Sequence, residues 1–165
     1  MSLNDPMRFA GTVDINAPRE RVWAFLTDPH AVSACAPDVQ SVDVIAPSHF
    51  KLVARVGVGP IRATFALDVL FTEEIAPERA TVRARGQAPG SAVEMLSTMT
   101  LSAVEPDRTA MAWTSDVNVS GTIAQVGARL LQGTADRMTQ QVFACIKTKL
   151  ETAPSAVSAE GGYRQ

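Results

Sequence analysis

The sequence predicts an α+β domain in which a curved, seven-stranded antiparallel sheet wraps around one long C-terminal helix, a helix-grip arrangement. Three observations carry that expectation. Residues 7–16 alternate as a strand and lead into two short helical stretches; residues 39–119 keep a period of two, broken only by hairpin-length turns; and residues 121–151, GTIAQVGARLLQGTADRMTQQVFACIKTKLE, run without proline at a helical period. Strands in succession followed by a helix argue for one antiparallel sheet with the helix on its face. At 1.5 Å of rise per residue that helix would reach roughly 46 Å, enough to cover the concave side of a curled sheet.

Composition bounds the rest. With 165 residues the chain is one domain with a single core. A net charge of −2 supplies no basic field for nucleic acid or an anionic membrane. The two cysteines, Cys35 and Cys145, are too few for a disulfide framework and lack a C-x-x-C spacing, so a reduced, cytoplasmic setting is expected, with both as small buried hydrophobes. No signal-peptide pattern opens the chain and no run of about eighteen apolar residues occurs, so no membrane-spanning helix is expected. Residues 1–6 are read as an N-terminal extension with Met7 as the natural start, residues 7–151 as the domain, and 152–165 as a disordered tail of small polar residues.

In chain order, Phe9, Gly11, Val13 and Ile15 alternate against Arg8, Thr12 and Asp14 in the first strand. Asn16-Ala17-Pro18 starts a helix with proline at its first position, and Val22, Trp23, Phe25 and Leu26 give it a buried face. A second short helix spans about His30 to Ala36. Val42 and Val44 mark the second strand, and Phe50, Leu52, Ala54, Val56 and Val58 the third. Gly57-Val58-Gly59-Pro60 turns into Ile61–Phe71; Pro77-Glu78-Arg79 turns into Ala80, Val82 and Ala84; Ala88-Pro89-Gly90-Ser91 turns into Val93–Val104; and Pro106-Asp107-Arg108 turns into Met111–Val119.

No catalytic motif is evident. There is no P-loop, GxGxxG or paired-carboxylate pattern. His30 and His49 have no ligand-spaced neighbour and are read as solvated, so no metal is expected. Glu73 and Glu74 close a strand, and alternation turns Glu94 and Asp116 outward. Arg79, Arg83 and Arg85 form either the wet face of a strand or a phosphate-attracting row. The inward set is sharper: Leu52, Val56, Phe65, Leu67, Met95, Met99, Met111 and Trp113 from strands, facing Ile123, Val126, Gly127, Leu130, Thr134 and Met138 from the helix. Flexible methionines there suit an adaptable apolar pocket, and a packed core explains the same residues; periodicity alone favours the core. Ile146 and Leu150 lie well round from Ile123, so the far end of the helix packs elsewhere or meets a partner.

The sequence resembles the CoxG family, the G subunits of carbon monoxide dehydrogenase, within the START-like group of lipid-transfer and polyketide-cyclase domains. The resemblance rests on Phe9-x-Gly11, Ala17-Pro18-x-x-x-Val22-Trp23-x-x-Leu26-x-Asp28-Pro29, Cys35-x-Pro37, Val58-Gly59-Pro60-Ile61 with Phe65, and Thr109-x-Met111-x-Trp113. Its most specific part is Gly121-x-Ile123-Ala124-x-x-Gly127-x-Arg129-Leu130-Leu131. It spans about residues 7–150.

That resemblance implies a non-catalytic accessory protein of a bacterial molybdenum-containing carbon monoxide dehydrogenase or related molybdenum hydroxylase. It reverses the preference for a packed core and implies a lipid or quinone in the sheet–helix cavity, with a role in membrane recruitment or electron delivery at the inner face of the membrane. Many members carry a longer apolar C-terminal extension, which here is replaced by about fifteen residues, so contact with the membrane is expected to be peripheral. The inward set forms the ligand cavity on this view, Gly121, Gly127 and Thr134 keep the helix thin where the ligand fits, and the segment Trp23–Pro37 gates it. Two alternatives stay open: a cyclase- or hydrolase-type enzyme, which would need an acid or base such as Glu94, Asp116 or His49 at the cavity floor, and a pure docking factor.

Overall fold

The computed structural model describes residues 6–152. Strand β1 (Met7–Ile15) leads into helices α1 (Arg19–Leu26) and α2 (Pro29–Ser33). Six strands follow, β2 (Val39–Ala46), β3 (His49–Val58), β4 (Ile61–Ile75), β5 (Arg79–Ala88), β6 (Ser91–Glu105) and β7 (Arg108–Gly121). The chain then passes through a 3-10 turn, Thr122–Val126, into helix α3 (Ala128–Thr152). The seven strands make one antiparallel sheet in the order β1-β7-β6-β5-β4-β3-β2. The fold class is therefore as the periodicity predicts, and the reason is local. Each strand alternates against its neighbours, and every connection from β2 through to β7 is too short for anything but a hairpin. The two short helices carry the chain from β1 at one edge to β2 at the other.

Register shifts at Val39/Ser41, Val44/Ala46, Phe71/Glu73 and Ala103/Glu105 insert bulges that bend the strands around the helix. Asp28 caps α2 by accepting hydrogen bonds from the His30 and Ala31 amides. Buried Thr109 on β7 donates to the Ala17 carbonyl at 2.8 Å, fixing the β1–α1 corner to the sheet. Thr109→Val is expected to lower stability by about 1–2 kcal/mol in a urea titration, because the Ala17 carbonyl stays buried without its donor; an unchanged midpoint would refute that role.

Two expectations change. The C-terminal run is not one continuous helix. Gly121 and Gly127 have φ of +85° and +100°, a region that side chains other than glycine disfavour, and the backbone turns at both. A side chain at Gly121 would also collide with the Gly90 carbonyl. The helix proper begins at Ala128 and ends on Thr152, the residue assigned to the tail; the remaining tail and residues 1–5 lie outside the described residues.

The cysteines are the second. Cys35 and Cys145 are joined as a disulfide across a sequence separation of 110 residues, with Cα atoms 5.5 Å apart. The short α2 ends against the middle of α3, and this packing brings together two residues that no sequence spacing connects.

The last turns of α3 pack at the β1 end. Ile146 and Leu150 are buried with Ile15, Val22, Leu26, Leu101 and Met111. The Arg21 guanidinium donates to the Leu150 carbonyl, Lys147 to the Asp14 carbonyl, and the Asn16 amide to Glu151. The drift of the apolar stripe is thus explained: the far end of the helix serves a different part of the core from its start. Among the described residues no helix is long and apolar enough to cross a membrane.

Candidate ligand-binding site

The interior is divided. Buried apolar residues form three clusters where a domain of this size ordinarily has one continuous core. One lies at the β1–α1 end around Ile15, Met111 and Ile146. A second, on β3–β5, holds Phe50, Val69, Phe71, Ala80, Val82 and Ala84. The third joins Val58 and Phe65 to Ile123 and Leu131 at the start of the helix. Trp23 and Met99 border the first two clusters, and Leu67 borders the second and third. These bordering side chains stay only half-buried although they point into the fold. Helix α3 packs most closely against β1, α1 and β3, so it bridges opposite sides of the sheet and stands further from the middle strands.

The inward set falls into three groups. Phe65, Met111, Ile123 and Thr134 are buried, and Met111 fully so. Leu52, Val56, Leu67, Met95, Met99, Trp113, Val126 and Met138 are half-buried. Gly127 and Leu130 depart from expectation. Gly127 is exposed, with open space where a side chain would go, because it forms the break before α3. Leu130 is 39 % exposed and reaches outward to cover Gly59 at the β3–β4 hairpin. The helical wheel misplaced both by assuming an unbroken helix from Gly121.

Polar groups are sparse on this face. The Trp113 indole lies over Gly11, where a Cβ would come within 3.1 Å of the ring, and it stacks on Phe143 with centroids 5.2 Å apart. Its buried Nε1 has no hydrogen-bond partner, nor does the Thr134 hydroxyl, which is 5 % exposed on the sheet-facing side of α3. Ser97 and Ser115 share a 2.8 Å hydrogen bond across β6 and β7, on the same face as Met95, Met99 and Trp113. One hydroxyl of such a pair keeps a free donor. Sequence reading missed this pair; its signal was a serine at an inward position in each of two adjacent strands.

The acid–base candidates lie on the other face. Glu94 pairs with Arg85 at 3.3 Å, Asp116 with Arg8 at 3.4 Å, Glu73 with Arg79 at 3.1 Å, and His49 with Asp68 at 2.6 Å. The outward reading of Glu94 and Asp116 therefore holds. Of the arginine row, Arg79 and Arg85 have carboxylate partners, and His49 gains one through β3–β4 pairing that its sequence neighbours do not reveal. Among the described residues no three His, Cys, Asp or Glu side chains gather as a metal-ligand set.

Comparison with known proteins agrees with this architecture. A conserved protein from Geobacillus kaustophilus superposes with a TM-score of 0.82 at 21% identity, covering 88% of this chain and 95% of that one. The Zhui aromatase/cyclase from Streptomyces sp. R1128 gives 0.70 at 15% identity, covering 92% and 98%. A START superfamily protein from Mycobacterium smegmatis gives 0.66 at 16% identity, covering 87% and 97%. At these identities the likeness is one of fold. No curated protein sequence matches the chain. The family model for CoxG, the G subunit of carbon monoxide dehydrogenase, matches residues 11–151, nearly all of the domain described above, and the chain belongs to that family.

Proposed function

We propose that this protein is a non-catalytic accessory factor that holds a hydrophobic ligand, a lipid or a quinone, between the curved sheet and α3. It serves a molybdenum-containing carbon monoxide dehydrogenase or a related molybdenum hydroxylase, aiding membrane recruitment or electron delivery at the cytoplasmic face of the membrane. One observation carries the reading: three separate apolar clusters leave inward-facing Leu67, Met95, Met99 and Trp23 half-buried between them. Apolar surface in that position gains about 25 cal/mol per Å² when a ligand covers it, less the cost of binding. The unpartnered Thr134 hydroxyl and the Ser97–Ser115 pair favour a ligand with a polar head over a plain hydrocarbon. Family membership supports the dehydrogenase as partner.

An enzyme of the cyclase type is the other reading, prompted by the shared fold. Against it, Glu94, Asp116 and His49, the acid–base candidates, all engage partners on the convex face. Organic extraction of natively purified protein followed by mass spectrometry is expected to recover one hydrophobic molecule per chain. Consistent absence of such a molecule, together with no uptake of added quinone, would overturn the carrier reading.

A further inference from the structure

A second site lies outside the sheet–helix cavity. β2 pairs with β3 only as far as Val39 opposite Ala54, so the last residues of β3 form a free edge beside the α2–β2 connection. A recess of about 180 Å³ opens there, lined by Asp38, Arg55, Val56, Gly57, Arg62, Ala63 and Thr64. Arg55 stands opposite Thr64, and Arg62 opposite Gly57. The two arginines are therefore diagonal neighbours on one face of a β-pair, close enough to interact. The Arg62 guanidinium lies back across β3, its Nη1 3.8 Å from where a Gly57 side chain would begin.

Elsewhere on this face the register supplies counter-charges: Glu94 for Arg85, Glu73 for Arg79 and Asp116 for Arg8. For Arg55 and Arg62 it supplies a hydroxyl and a glycine, and no carboxylate comes within ion-pairing distance of either among the described residues. The acid that does line the recess is directed elsewhere. Asp38 sits at φ 54°, its carbonyl accepts from the Arg55 amide at 3.1 Å, and its carboxylate accepts from the Gln40 side chain at 2.9 Å. Because the Arg55 amide faces that edge, strand alternation directs the Gly57 amide the same way, adding a backbone donor to the recess.

Two uncompensated guanidiniums held side by side repel each other, and each offers a planar fork matched to oxyanions. We propose that this recess binds a phosphate-class oxyanion between Arg55 and Arg62, with Thr64 and the Gly57 amide as further donors. The anion is either a small free phosphate or the phosphodiester of an anionic lipid headgroup. The site does not depend on what the sheet–helix cavity holds.

The full chain is titrated with inorganic phosphate by calorimetry and sedimented with vesicles of phosphatidylcholine alone or with phosphatidylglycerol. Wild type is expected to bind phosphate, and the double variant R55Q/R62Q to lose about tenfold or more in affinity. Asp38→Asn removes the negative charge while suiting the left-handed backbone, so it is expected to tighten binding, a gain that misfolding cannot imitate. Arg83, which stands between Leu70 and Leu96 across the register, serves as the control, and R83Q is expected to leave affinity unchanged. Phosphate binding with selective, arginine-dependent sedimentation on phosphatidylglycerol identifies the headgroup as the source; phosphate binding alone identifies a free anion. Either sustains the site. No binding of either probe, or equal losses in R83Q and R55Q/R62Q, would overturn it.

Discussion

Replacing Cys35 and Cys145 together by serine is expected to lower the stability of the folded chain by about 2–5 kcal/mol. The disulfide closes a loop spanning 110 residues, which takes in β2 to β7 and the first half of α3. Cross-linking so long a loop removes many unfolded conformations, and the restraint is lost when the link is removed. The folded state should change little, because the surrounding cluster of Ile15, Val22, Leu26, Met111 and Ile146 keeps its packing. Urea titrations of wild type with and without a dithiol, beside the double serine variant, give the test. The variant and the reduced wild type should share one midpoint, below that of the oxidised protein. Equal midpoints for all three, or two free thiols in protein trapped at lysis, would refute the link. The same trapping experiment bears on compartment, since a reducing cytoplasm disfavours persistent disulfides.

Leu67→Trp is expected to abolish uptake of a quinone or lipid, weakening it about tenfold or more, while leaving the fold intact. Leu67 borders two apolar clusters and is half-buried between them, so an indole there would occupy the space assigned to the ligand. In a fully packed core the same change would overpack the interior and cost about 1–3 kcal/mol. Urea titration and ligand titration on one variant therefore separate the two: stability kept with uptake lost supports a cavity, and stability lost by that amount supports a packed core. Gly127 is the position a helical wheel nominates for such a block. It is unsuited, because its φ of +100° would strain any larger residue and its surroundings are open.

How much of this was legible beforehand depends on the range over which each feature is encoded. Seven strands, two short helices and a long closing helix follow from alternation and turn residues, which act between near neighbours. The outward placement of Glu94 and Asp116 follows from the same alternation, as does the separate packing of Ile146 and Leu150 from helical drift. Family membership was legible too, in short motifs from Phe9 to Leu131.

Tertiary structure alone decided four things. The bond between Cys35 and Cys145 depends on where α2 lands on α3, which no local spacing encodes. The break at Gly127 depends on a backbone angle that glycine permits without requiring. The bare arginine pair depends on register, which sets Thr64 and Gly57 opposite Arg55 and Arg62 in place of carboxylates. The division of the core into three clusters depends on how far the helix stands from the middle of the sheet, a distance set by bulges and by contacts at both helix ends. Sequence periodicity names the face a side chain points to; only the closed sheet fixes what stands across from it.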